Sequence, residues 1–592
     1  MEKVNMSVSD LIRKPSVEKK WLENYPIKEV DKEKPNTSLY EYMYLNNSKY
    51  MSDYAFSFFG NRITYEEFLE NIDKIARKFM EVGVHEGDVI PLIMANIPES
   101  AYCFYALNKI GAVACMIDPR LNEYGLARDL NLSNSEILVS IKNACKTLKN
   151  IKNETNIKDI IMLSAVNSAK NPLIRGLMNL QDAKKGNGIP KNWINWRHFI
   201  SNSSNKLDAI RGHYYENRPA AIVFTGGTTG VHKGVVLSDT AINTTVFEHH
   251  YLINNVKRGE KFLDILPPFI AYGLTSLHLS LCFGLETILD PVSNPKNFVS
   301  QIVQYHPSIV FGGPIHWETL INNSRLRKEK LSFLKFPVSG GEKLPTETAN
   351  KINRVLKETN CNTQIFDGYG ASECCGVFSL KFASKNSDGT VGFPLKFNDM
   401  CILDSDTGLE KDYNQMGDIC IYGPSIMNGY YKNQEETDKV IITDAYGRKW
   451  LKTGDLGMIN ETGELVITGR SKRIFVCGVN KVYPPEMEAL IMQLPEVHKC
   501  VVTGVDDAEL RTVPKVHIIL EKQTVVDNNL LVQRINQLVT QKLGREVVPK
   551  YYSFDEEFLY TGSGKIDYVS MTIDDNNKLS GKVKSLKREV SN

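Results

Sequence analysis

Short apolar runs alternate with amphipathic stretches along the first part of the chain. Tyr65 to Val82 places apolar residues at helical spacing, with acidic residues in its first turn, and predicts an amphipathic helix. Val89-Ile90-Pro91-Leu92-Ile93-Met94 predicts a strand, Ser100 to Ile110 a second helix, and Ala112 to Ile117 the next strand. Ile137 to Ser140 and Ile160 to Leu163 continue the series, so the pattern is that of an α/β fold. Residues Ser164 to Arg211 are richer in Asn, Lys, Ser and Gly and predict a long surface excursion. The pattern changes again near Gly469-Arg470-Ser471-Lys472-Arg473. Beyond it come strands at Val501 to Gly504 and Val516 to Leu520 and a helix near Leu530 to Leu543. A domain boundary is expected there, between residues 1–470 and 473–592. The tail after Tyr568 is polar and lysine-rich.

Length and composition narrow the choices. A chain of 592 residues exceeds what one compact core supports. Charged residues make up 24% and the formal net charge is +2, so no field argues for nucleic acid. The 11 cysteines are scattered without a Cys-x-x-Cys pair, which suggests reduced thiols. The N-terminus lacks the apolar core of a signal peptide. The longest apolar stretch, Leu274 to Leu289, is broken by His278 and Glu286 and is too short and polar for a membrane span. A soluble cytoplasmic protein is expected.

The densest chemical signal is Phe224-Thr225-Gly226-Gly227-Thr228-Thr229-Gly230-Val231-His232-Lys233-Gly234. Four glycines, three threonines and one lysine follow the strand-like run Ala220 to Phe224. Glycines let backbone N–H groups turn toward an anion, threonines add hydroxyl donors, and Lys233 adds a mobile positive charge. The combination suits a polyphosphate. It is not the common P-loop, which needs Gly-Lys followed directly by Ser or Thr. The plain alternative is a flexible loop after a strand.

Four weaker signals follow. Asp367-Gly368-Tyr369-Gly370-Ala371-Ser372-Glu373 comes after a strand-like Thr363 to Phe366. Its glycines would let a flat ligand approach Tyr369, and Ser372 and Glu373 would serve a phosphate and a hard cation. A tight turn with a core Tyr reads equally well. Trp450-Leu451-Lys452-Thr453-Gly454-Asp455 presents an Asp that suits two ribose hydroxyls or a simple Asx turn. Gly469-Arg470 stands at the boundary. Leu559-Tyr560-Thr561-Gly562-Ser563-Gly564-Lys565 presents a lysine on a glycine loop, which taken alone reads as solvated.

In this order, the five signals resemble the class I adenylate-forming superfamily of acyl-CoA synthetases, peptide-synthetase adenylation domains and luciferases. Gly417 to Pro424 and Gly429-Tyr430 look like another family segment. The resemblance spans about residues 38 to 570 and is nearest in style to fatty or aryl acyl-CoA ligases. It implies a large multi-sheet α/β N-terminal domain and a smaller, mobile α+β C-terminal domain. It assigns the phosphates of ATP to Thr225, Gly227, Thr228, Thr229, Gly230 and Lys233. Tyr369 would stack on adenine against a wall of Gly341, Glu342 and Lys343. Ser372 would bond a phosphate and Glu373 would hold Mg²⁺. Asp455 and Arg470 would grip the ribose, and Lys565 would bridge the carboxylate and the α-phosphate. The small domain would turn about Lys472 between adenylation and thiol transfer.

Some positions depart from the family pattern. His232 stands where Pro is common, Gly226 where Ser is common, and Arg473 where an acid is frequent. Leu559 and Gly562 replace prolines before Lys565. Ile270 stands where many acyl-CoA synthetases carry His. Amino-acid-activating relatives carry an Asp in that region, whereas the nearest acid here is Asp264. An apolar fatty or aryl acid is therefore expected. Pocket candidates are Phe269, Tyr272, Gly313, Pro314, His316 and Trp317, each of which also reads as ordinary core. The implied acceptor is coenzyme A. The alternative is the phosphopantetheine of a separate carrier protein, since no carrier domain is evident in the chain. A fatty substrate would also draw the protein to a bilayer surface without any spanning segment.

Overall fold

The structure is a computed structural model. It describes residues 14–164, 167–169, 172, 176, 188–201, 211–225, 233–292, 294–326, 329–382, 389–470, 473, 475–477, 480–482, 484–507, 510–522, 527–560, 566–568 and 570–578.

The predicted first helix forms at Tyr65–Glu81. Thr64 and Glu67 close its N-terminus as a reciprocal capping box, which satisfies two otherwise orphaned amides. Its apolar stripe buries Phe68, Ile72, Ile75 and Phe79. Phe68 meets Phe56 edge-on at 4.9 Å and Tyr105 at 5.7 Å. The second helix, Pro98–Ile110, is buried on every side, which is why its apolar pattern lacks a polar face. Proline opens it and Gly111, at φ 83°, ends it in the left-handed conformation a glycine supplies.

These elements serve two large sheets. An eight-stranded sheet runs in the order Gly429–Tyr430, Gly234–Ser238, Pro219–Phe224, Val113–Ile117, Val89–Ile93, Ile137–Ile141, Asp159–Leu163, Ile194–Asn195. Its strands from Pro219–Phe224 to Ile194–Asn195 pair in parallel, as an alternating strand–helix pattern predicts. The excursion after Ser164 is not all surface loop. Its end supplies the edge strand Ile194–Asn195 and the helix Trp196–Ser201, whose Trp196 and Phe199 are buried in the main core. A nine-stranded sheet centres on the parallel strands Phe336–Ser339, Ile309–Gly312, Lys261–Asp264 and Glu286–Leu289. The apolar stretch from Leu274 resolves into the end of the buried helix Ala271–Cys282 and the strand Glu286–Leu289.

A five-stranded sheet, Asp399–Leu403, Gly417–Tyr422, Lys449–Ile459, Ile441–Thr443 and Leu465–Arg470, ends the large domain. Beyond it, Val497–Asp507, Arg511–Leu520 and Tyr551–Phe554 form a three-stranded sheet with its own core. The helices Pro484–Ile491 and Asn528–Lys542 pack into that core, which makes this part α+β. All eleven cysteines are buried and unbridged. Among the described residues no helix is long and apolar enough to cross a membrane.

Candidate active site

The glycine-rich segment joins two antiparallel strands. Pro219–Phe224 and Gly234–Ser238 pair up to Phe224 opposite Gly234, and the Thr225 amide donates to the Lys233 carbonyl at 3.0 Å. Gly226, Gly227, Thr228, Thr229, Gly230 and His232 lie outside the described residues. A P-loop runs from strand straight to helix, whereas here the helix Asp239–Glu248 begins only after the second strand. A buried ion pair locks the far end of the hairpin. Arg218 Nε lies 2.6 Å from Asp239 Oδ2, and the Asn108 amide and the Leu39 N–H donate to Oδ1 at 2.7 and 2.9 Å. Arg218 is 2% exposed and Asp239 fully buried.

Lys233 is held by side chains from the opposite edge. The strand Gly429–Tyr430 pairs with Gly234–Ser238, and Asn433 caps the helix Gln434–Val440 that follows. Glu436 of that helix forms an ion pair with Lys233. Hydrogen bonds from Lys233 and Lys439 hold its carboxyl down at about 2. The Lys233 ammonium also lies 4.7 Å from the centre of the Tyr430 ring. The Tyr430 hydroxyl donates to Glu373 Oε1 at 2.8 Å, and the Met427 amide donates to the Glu373 carbonyl at 2.9 Å. One short segment thus connects Lys233 to Glu373. Tyr430 and Glu436 were not assigned roles from sequence; the Gly429-Tyr430 pair and the acidic run after it are the signals that mark them.

The second group forms around Tyr369. The strand lies at Phe366–Tyr369 rather than Thr363 to Phe366, because Val338 and Ser339 register with Phe366 and Asp367. Tyr369 is therefore a strand residue, and its hydroxyl donates to Asp455 Oδ2 at 2.6 Å. Burial, then the Asp455 charge, push that phenol well above its ordinary value. Asp455 does not sit in a turn between elements. It belongs to the long strand Lys449–Ile459, opposite Arg470, with Gly454 at φ 76° where the register shifts. Ser372 and Glu373 follow in a 3₁₀ turn. Gly341, at φ 87°, and the exposed Glu342 and Lys343 leave the adjacent strand Phe336–Ser339. Between the two strands, burial pushes Asp367 up to about 7, against the pull of Lys381 and Lys343.

The pocket candidates divide. Tyr272 stacks on Phe311 at 6.0 Å and abuts Gly340, where a Cβ would come within 3.2 Å of its ring. Its backbone lies against Gly376, where any Cβ would come within 2.5 Å. The Tyr272 hydroxyl is buried without a hydrogen-bond partner among the described residues. Phe269 packs in the same core, with the Arg120 guanidinium 5.1 Å from its ring centre. Gly313 donates its amide to His316 Nδ1 at 3.2 Å, and burial lowers that imidazole to about 4. Pro314 opens the short helix Pro314–Trp317. Trp317 belongs to the separate core on the far face of the sheet, fully buried, with Nε1 donating to the Val338 carbonyl at 3.0 Å. It is a packing residue there.

Lys472 and Lys565 lie outside the described residues, as does the side chain of Arg470. The residues on either side of 561–565 are described. Tyr560 bridges Ile566, and the Asp567 amide donates to the Leu559 carbonyl at 2.8 Å. Among the described residues no cluster of three or more metal-ligating side chains occurs. Glu373, with Oε1 taken by Tyr430, fits the sparse protein share of a Mg²⁺ site, where substrate phosphates and waters complete the shell.

The AMP-binding enzyme family matches residues 45–431, and the AMP-binding enzyme C-terminal domain matches residues 486–565. A long-chain-fatty-acid–CoA ligase of Bacillus subtilis is 28% identical over 559 residues, covering 93% of this chain and 97% of that protein. A probable 4-coumarate–CoA ligase 1 of Dictyostelium discoideum is 26% identical and covers 79% and 84%. The crystal structure of the anthranilate CoA ligase AuaEII in complex with anthranoyl-AMP shares the fold, with a TM-score of 0.77 at 19% identity, over 92% of this chain and 99% of that one. With the family matched over residues 45–431 and its C-terminal domain over 486–565, the chain belongs to the AMP-binding enzyme family, as an adenylate-forming ligase.

Proposed function

We propose that this protein joins an apolar fatty or aryl acid to the thiol of coenzyme A through an acyl-adenylate. The observation that carries the reading is the link from Lys233 through Tyr430 to Glu373, beside the Tyr369–Asp455 pair. On this reading the contacts join residues suited to phosphate and cation, next in sequence to a pair suited to a nucleoside. The apolar preference is supported by Phe269 and Tyr272. Asp264 also supports it: the residue is 1% exposed and burial holds its carboxyl well above the usual range, so it offers no counter-charge to a substrate ammonium.

In this reading Lys233 leaves Glu436 for the β- and γ-phosphates of ATP, with Thr225 and the glycine loop. Tyr369 faces the adenine, opposite Gly341 to Lys343, and Ser372 bonds a phosphate. Asp455 and Arg470 hold the ribose. Mg²⁺, when bound with Glu373, neutralises phosphate charge. A carboxylate oxygen attacks the α-phosphorus while the bond to pyrophosphate breaks, and Lys565 offsets the meeting of two anions. Sulfur then attacks the acyl carbonyl, the thiol gives up its proton, and AMP leaves. The domains divide at residues 470 and 473, and a turn about Lys472 separates the two steps.

The test is pyrophosphate and AMP release over a panel of fatty, aryl and amino acids, with and without coenzyme A. The expected result is turnover on an apolar acid that requires coenzyme A and yields its thioester. Pyrophosphate exchange with no thioester, but with loading of a carrier protein, would replace coenzyme A as acceptor. Turnover confined to amino acids would overturn the apolar assignment.

A further inference from the structure

The segment that carries Lys565 leaves the small domain's sheet after Phe554 and returns as a helical stretch over 570–578. One histidine meets both ends of it. His517, 4% exposed on the strand Arg511–Leu520, has Nδ1 3.2 Å from Asp555 Oδ2 and Nε2 2.9 Å from Asp575 Oδ2. Ser553 Oγ lies 2.9 Å from Nδ1, and Thr503 Oγ1 3.1 Å from Nε2. The register explains the grouping. Thr503 lies opposite Lys515 and Ser553 is paired with His517, so all four share one sheet face. Lys515 pairs with Asp575, while Asp574 and Lys578 of the helical stretch pair with each other at 2.6 Å. Between the two aspartates the chain is anchored by Phe558 and Met571, which share a buried cluster with Val501, and by the Tyr560–Ile566 bridge, whose residues flank Lys565 in the sequence.

We propose that His517 is a positioning residue for adenylation: by holding Asp555 and Asp575 together it fixes both ends of the segment that carries Lys565. The inference rests on the role given to Lys565 above. An imidazole can donate to two carboxylates only as the imidazolium. Burial pulls His517 down, but its hydrogen bonds to Asp555 and Asp575 outweigh that and hold it above its ordinary value. Burial pushes both aspartates up, yet hydrogen bonds from His517 hold each below its ordinary value. A raised imidazole contributes fully below about 6.5 and loses its contribution as pH rises through its folded value. The depressed aspartates contribute above about 3.9 and lose theirs as pH falls through their folded values. The clamp is therefore whole in mildly acidic solution and opens on the alkaline side.

The experiment compares His517→Gln, Asp575→Asn and Lys565→Ala in the full chain. Pyrophosphate release is followed against pH, and thioester formation is followed separately from preformed acyl-adenylate and coenzyme A. His517→Gln is expected to lower kcat for pyrophosphate release by about tenfold, equivalent to about 1.4 kcal/mol, and to shift its alkaline limb. KM for ATP and the rate of thioester formation are expected to stay within about twofold. Asp575→Asn should show a smaller loss of the same kind, and it decides the matter if His517→Gln does not fold. Wild-type adenylation and pH profile in the variants, with Lys565→Ala impaired, would overturn the clamp and leave the lysine's role standing. Equal loss of both half-reactions would overturn it too. Unimpaired adenylation by Lys565→Ala would remove the lysine's role itself, and the clamp with it.

Discussion

Lys233 is paired with the Glu436 carboxylate, and on the proposed reading that pairing competes with the phosphates of ATP. Glu436 is half-buried, its side chain 29% exposed at the edge of the site, so its hold is partly screened and modest. Removing it frees the lysine for phosphate. Glu436→Gln is expected to lower KM for ATP by about two- to fivefold at low salt, with the gain fading as salt rises. An unchanged KM at low ionic strength would show that Glu436 does not compete with the nucleotide. The residue scale is also where sequence reading reached least far. Tyr369, Glu373 and Asp455 stand in motifs with a chemical rationale of their own. Tyr430 and Glu436 do not, because what matters in them is a cross-strand register: Tyr430 opposite Val235 carries its hydroxyl to Glu373, a contact between distant parts of the chain. Trp317 shows the converse, an aromatic beside a glycine pair that chain geometry turns into the far core.

At the scale of elements, alternating apolar runs made the parallel strands legible, since strands buried on both faces read as continuous hydrophobic runs. The sequence pattern places the strand Phe366–Tyr369 at Thr363 to Phe366, three residues early, because Asp367 and Gly368 do not read as strand residues, and its position is set by pairing with Phe336–Ser339. The hairpin bearing the glycine loop was legible only as a strand and a loop. The return strand and the ion pair that locks it depend on partners far away in sequence, Asn108 and Leu39 among them. That ion pair gives a direct prediction. Arg218→Ala leaves the Asp239 carboxylate buried without its main counter-charge, and should cost about 3–5 kcal/mol in chemical denaturation. A loss below about 1 kcal/mol would mean that Asn108 and the Leu39 amide suffice to hold it.

At the scale of the whole molecule, Glu248 ties the layers together. It ends the helix after the glycine hairpin, is fully buried, and accepts hydrogen bonds from the Phe397 amide, Asn398 and Ser425, which flank the five-stranded sheet. Burial pushes its carboxyl up to about 8 despite those donors. The native state therefore keeps a proton that the unfolded chain loses above about 4.3, so stability falls as pH rises from there toward 8. The slope from this one group is at most about 1.4 kcal/mol per pH unit. Glu248→Gln should flatten that part of the profile, seen as a Tm that drops less between pH 5 and 8 than in the wild type. An identical drop in both proteins would assign the dependence to other groups.

Gly469 stands next to Arg470 at the end of the large domain's last strand, and a Cβ there would come within 2.8 Å of the Pro485 ring of the small domain. The smallest possible side chain is thus a wedge against Pro485. Gly469→Ala should tilt the balance between the two half-reactions in one direction, and whichever rate drops names the step this domain arrangement serves. Equal effects on both rates would mean that the joint yields without preference.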